Sequence, residues 1–130
     1  MFTIQQIKET HTRVKSGADF PQYVQDLIQL GMHNYDNFVS DGQTIYFGEG
    51  DFSLADGAKY PAMDVSNTSD TEKFKHCLKI HQQGVTDYPT FCRHAAETGV
   101  EKWTVDMLDM TCTYYDKAGD KMVVETIPVP

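Results

Sequence analysis

The sequence predicts an α+β fold: an antiparallel sheet of about five or six strands with four helices mainly on one face, arranged as two pseudo-symmetric helix-helix-hairpin repeats. Three observations carry this expectation. Apolar residues twice follow a helical period that closes at a glycine, the period then becomes twofold, and the aromatic residues of the two halves coincide when the halves are aligned.

In the first half, Ile4, Ile7, His11 and Val14 recur at helical spacing and Gly17 ends the run. A second helix opens at Phe20-Pro21, because proline at the first helical position gives up a hydrogen bond that the helix end lacks anyway. Its apolar face is Tyr23, Val24, Leu27, Ile28 and Leu30, and Gly31 supplies the left-handed cap. Tyr35 and Val39 then alternate with Asp36 as a half-buried strand. Asp41-Gly42 predicts a type I′ hairpin turn into a strand from Thr44 to Phe47. Gly48-Glu49-Gly50-Asp51 reads as a further turn, and Lys59 to Val65 as a short edge strand, since Pro61 cannot donate to a ladder.

The second half repeats the order. Phe74, Leu78 and His81 form a helix capped by Ser69, Asp70 or Thr71 and ended by Gly84. Tyr88-Pro89 opens the next helix, which buries Phe91, Cys92, Ala95 and Ala96 and closes at Gly99. Trp103, Val105 and Met107 alternate with Lys102, Thr104 and Asp106 in a strand, which returns through Thr111 to Tyr115. Gly119 marks a hairpin into Met122 to Ile127.

An ungapped window of 29 residues, Phe20–Gly48 over Tyr88–Asp116, aligns at a constant offset of 68. Tyr88, Phe91, Trp103, Tyr114 and Tyr115 fall on Phe20, Tyr23, Tyr35, Tyr46 and Phe47. The chain is therefore expected to be a single domain, 1–130, with copies at approximately 4–65 and 71–127.

Composition narrows the function classes. Hydrophobic residues make up 40% of the 130-residue chain, enough for a core. A formal charge of −8 repels phosphate backbones and anionic lipid headgroups, so neither nucleic acid nor a membrane surface is an expected partner. The first residues lack the basic-then-apolar pattern of a secretion signal, and no apolar run reaches membrane-spanning length. Cys77, Cys92 and Cys112 are odd in number and widely spaced, which suits reduced thiols and a cytoplasmic location.

The second half carries a resemblance. His81-Gln82-Gln83-Gly84, Asp87-Tyr88-Pro89-Thr90-Phe91-Cys92 and the stretch Ala96 to Asp106 are followed in order by Met110 to Asp116, Gly119 and Glu125-Thr126-Ile127-Pro128. These motifs resemble the YbcV-like family of small bacterial and prophage-borne proteins, a domain of unknown function sometimes labelled "phage envelope protein". Phe20-Pro21, Gly31-Met32 and Tyr46 extend it more loosely to the first half. The resemblance implies a prophage or mobile-element origin and brings no catalytic residue, substrate or cofactor.

Cys77 and His81 share a helix face at a spacing that can hold Zn²⁺, with Cys92, His94 or Cys112 to complete the set, but their aligned positions Thr10, Val14 and Val24 look like core. No metal and no cofactor are expected. Cys92 lies one turn into a helix, where the positive helix end lowers a thiol pKa, and His81 or His94 could serve as its base. Asp106 and Glu125, both on strands, form the other catalytic candidate as a carboxylate pair. Trp103, Tyr114, Tyr115 and Tyr46 combine contact area with a polar handle and are the candidates for binding a ligand or partner. Tyr114 and Tyr115 must point to opposite faces of their strand, so one of them leaves the helix-covered side.

The leading expectation is a small cytosolic binding or interaction protein that uses the exposed sheet face or the groove between repeats. Its partner would be a protein or a small-molecule ligand, and the chain itself a monomer or homodimer. The alternative is a small enzyme working through Cys92 and a histidine or through Asp106 and Glu125.

Overall fold

A computed structural model describes residues 1–15 and 17–130. Helices α1 (Ile4–His11) and α2 (Phe20–Gln29) precede strands β1 (Asn34–Phe38), β2 (Thr44–Phe47) and β3 (Ser53–Asp56). Helices α3 (Thr71–Gln82) and α4 (Tyr88–Glu97) precede β4 (Val100–Asp106), β5 (Thr111–Asp116) and β6 (Lys121–Thr126). The six strands form one antiparallel sheet in the order β3-β2-β1-β4-β5-β6. Its two halves meet where β1 pairs with β4.

Each helix start has a local cause. Thr3 caps α1 through its hydroxyl, while the Gln6 side chain returns to the Thr3 backbone. Asp70 and Asp87 accept from the third residue of α3 and α4, at Lys73 N and Thr90 N. Both α2 and α4 carry proline in the first turn. The apolar faces then seal Val24, Leu27, Phe74, Ala95, Val39 and Val100 at 0% exposure. No helix among the described residues is long and apolar enough to cross a membrane.

Two local expectations are corrected. The strand expected at Lys59 to Val65 lies earlier, at Ser53–Asp56, because Gly48 to Asp51 turns the chain straight back onto β2. Residues 57–65 instead dock on the β1–β2 turn: Lys59 N and Tyr60 N donate to Asp41 O, and Met63 N to Ser40 O. That turn is also wider than type I′. Only Gly42 has positive φ (78°), Phe38 N reaches Gln43 O, and the Asp41 carboxylate accepts from Gln43 N.

The helix-closing glycines Gly31 and Gly99 share a left-handed φ of +94° and +92° but differ in surroundings. A Cβ at Gly31 would meet nothing, whereas one at Gly99 would stand 2.7 Å from Thr68 O. The chain leading to α3 is pinned there by Ser66 N to Ala96 O and Asp70 N to Thr98 O. Gly99→Ala should therefore lower the urea unfolding free energy by about 3 kcal/mol, against about 1 kcal/mol for Gly31→Ala. Equal losses would contradict the close approach at Gly99.

Candidate functional site

Pairing register and side-chain alternation define the helix-covered side of the sheet as two rows. One runs Asp56, Thr44, Asn37, Trp103, Tyr114, Val123, and the next Leu54, Tyr46, Tyr35, Val105, Cys112, Glu125. The helices do not seal the centre of this surface. A groove of about 1100 Å³ lies over it, with α1 and α2 contributing one wall and α3 and α4 the other.

The floor is nearly buried. Tyr35, Tyr46, Trp103, Tyr114, Asn37 and Cys112 each keep 7–9% exposure and Val105 keeps 1%, while Val39 and Val100 keep none. Aromatic contacts continue across the floor, with centroid separations of 5.7 Å for Tyr35–Tyr46 and 5.8 Å for Trp103–Tyr114. Tyr88 meets Trp103 edge-on at 6.5 Å, and Phe91 adds a tilted contact at 5.8 Å. Such tilted and edge contacts suit the ring quadrupoles.

One polar group stands out in this surface. Asn37 accepts from Thr44 Oγ1 at 3.1 Å, while its buried Nδ2 makes no well-formed hydrogen bond and has the Tyr88 hydroxyl as its polar neighbour. A buried donor without a well-formed bond costs up to roughly 1–3 kcal/mol, so a ligand acceptor that improves on the Tyr88 contact gains more than ordinary solvation.

The binding candidates divide by face. Trp103, Tyr114 and Tyr46 lie on the groove floor. Tyr115 lies on the open side, where Lys102 Nζ sits 5.5 Å from its ring centroid. Tyr35, another member of the aromatic set that the sequence offers for a ligand groove, lines it too, as do Asn37, Thr44 and Tyr88, which the sequence does not single out as site residues. Tyr35 was legible as an aligned aromatic; Asn37 was not, since an amide on a strand gives no signal of its face without the register.

The catalytic candidates do not converge. Cys92 is 1% exposed and outside the groove lining, with the Tyr88 and Tyr60 hydroxyls beside its sulfur. Burial raises its thiol pKa in spite of the Tyr88 and Tyr60 hydrogen bonds that lower it, the opposite direction to the lowering expected from its helix position. His81 lines the groove and is not core filler: its ring stacks on Phe91 at 4.4 Å and its Nδ1 meets Thr86 O at 3.1 Å. A carbonyl can only accept, so the neutral ring carries its proton on Nδ1.

Asp106 and Glu125 point to opposite faces. Glu125 shares the Val105–Cys112 row, and Asp106 the alternate row with Thr111 and Thr126, so the two cannot act across one cleft. Asp106 instead turns the chain, accepting from Leu108 N and Asp109 N. Among the described residues, no group of three or more His, Cys, Asp or Glu side chains gathers as a metal site. Cys77 is buried on α3, and Cys112 sits on the floor, its thiol pushed up to about 12 by burial.

A family model described as "Protein of unknown function (DUF1398)" matches residues 8–126, a span that takes in every groove strand. No curated protein matches the chain.

All three cysteines are free thiols and all are buried with raised pKa. Iodoacetamide at neutral pH should leave Cys92 unlabelled in the folded protein and label all three in urea. Rapid native-state labelling of Cys92, read by peptide mass spectrometry, would restore it as a nucleophile.

Proposed function

The chain belongs to the DUF1398 family of proteins of unknown function, and we propose that it is a binding protein whose groove takes a small, flat, ring-bearing molecule. The observation that carries this reading is the aromatic floor, open between two helix pairs and holding the Asn37 amide, whose Nδ2 makes no well-formed hydrogen bond beside Tyr88. Ligand sites are typically concave, mostly apolar and equipped with a few convergent polar groups. Tyr35, Tyr46, Tyr114 and Trp103 supply ring-stacking area at little conformational cost, and Asn37 orients an acceptor.

Catalysis is the weaker reading, because among the described residues no nucleophile, base and orienting group meet in the groove. Two imidazoles stand on the walls: His81 contacts Phe91 and Thr86, and His11 meets the Tyr23 ring edge-on.

Three further elements belong to this proposal. Kinship with the YbcV-like proteins, and with it a prophage origin, is supported by the ordered motifs of the second half. Internal duplication within one domain is supported by the aligned aromatics and by the shared element order α-α-β-β-β of each half. A cytoplasmic setting is supported by the free thiols.

Titration with N-phenyl-1-naphthylamine, a neutral ring compound, should quench Trp103, the single tryptophan, with micromolar affinity. Tyr115→Ala, on the opposite face, should leave the titration within about twofold, since distant sites act independently. Unchanged Trp103 emission at saturating dye, or loss of the response in Tyr115→Ala, would contradict the groove as the binding site.

A further inference from the structure

The strand register places a carboxylate at each of two diagonal corners of the groove floor, Asp56 on β3 and Glu125 on β6. Asp56 is already neutralised, with Lys59 Nζ 3.0 Å from Oδ2. Glu125 is not. Both of its oxygens accept from Gln82 Nε2 at 3.1 Å, an uncharged partner. Among the described residues, no lysine, arginine or histidine nitrogen comes within 4.0 Å of it.

Position makes this charge different from the others that line the groove. Lys8 and Lys15 are exposed on the α1 side, where long stems carry charge out to water. Glu125 is half-buried, fixed to a strand and held by the last turn of α3. It also acts on its neighbours: burial first, and Glu125 in addition, raise the pKa of Tyr114 and of Cys112.

We infer that the ligand of this groove is an aromatic cation, with its rings on the tyrosine and tryptophan floor and its charged nitrogen facing Glu125. This rests on the groove being the ligand site. Aromatic faces carry negative potential at their centres, so the same floor that stacks a ring also attracts a cation. A carboxylate with only an amide for company gains a counter-ion, and the chain's charge of −8 enriches cations around the protein. The Asn37 Nδ2 donor, which lies beside the Tyr88 hydroxyl without a well-formed bond, serves an acceptor atom on the same molecule.

Calorimetric titration of the whole chain with three naphthalenes of one shape separates the two readings: N,N,N-trimethyl-2-naphthylammonium, neutral 2-naphthol and naphthalene-2-sulfonate. The ammonium should bind about tenfold tighter than 2-naphthol, the order expected for a partly desolvated cation with a carboxylate and π faces, and the sulfonate weakest. Glu125→Gln, which keeps the shape and a hydrogen bond to Gln82, should abolish the preference while leaving 2-naphthol within about twofold of the parent. Binding of 2-naphthol without a preference for the ammonium, or a preference that survives Glu125→Gln, overturns the charge assignment alone. Failure of all three to bind overturns the groove as a ligand site and this inference with it.

Discussion

The antiparallel pairing of β1 with β4 is the constraint on which the rest of the molecule depends. It joins two three-stranded sheets into one, and helix packing otherwise runs within each half, α1 on α2 and α3 on α4, with α4 on β4 and α3 on β6. The seam is reinforced on its open side, where Thr104 donates to Asp36 at 2.6 Å and Lys102 Nζ approaches the same carboxylate at 3.7 Å. On its covered side it brings Tyr35 beside Val105 and Asn37 beside Trp103. The groove floor takes in both strands of this seam and runs outward to Asp56 on β3 and Glu125 on β6.

Leaving the groove open has a price in unburied apolar area, and the side chains at the seam reduce it. Tyrosine rings give up their faces to neighbouring rings and keep a hydroxyl that tolerates water. Burial raises the pKa of Tyr23, Tyr35, Tyr46 and Tyr114, so these hydroxyls stay neutral and able to donate. A floor of valine and leucine would drive the helix pairs together; a floor of tyrosine, tryptophan and asparagine can stay partly wet or take a ligand.

Much of the fold was legible in the sequence because its causes are local. Pro21 and Pro89 mark helix starts, Gly31 and Gly99 mark helix ends, and the change of period at Tyr35 and Trp103 marks the strands. The third strand of the first half was misplaced because Ser53-Leu54-Ala55-Asp56 is too short and weakly patterned to compete with Lys59 to Val65. The site was less legible. Trp103, Tyr114 and Tyr46 could be named as binding candidates, but Asn37, Thr44 and Glu125 share the floor only through pairings between strands remote in sequence. Parity could separate Tyr114 from Tyr115, yet it could not say which face the helices leave open. His81 and Cys92 looked alike as core positions; the structure puts one on the groove wall and buries the other behind Tyr88 and Tyr60.

In the proposed binding mode the uncovered centre of the helix-side floor, and not the bare opposite face, receives the ligand. Intermolecular nuclear Overhauser effects between the labelled protein and a bound ring compound distinguish the two faces. Contacts from the ring protons of Tyr35, Tyr46, Trp103 and Tyr114, which line the groove, are the expected result. Contacts confined to Phe38, Ile45 and Tyr115, which alternate to the other side of the sheet, would contradict it.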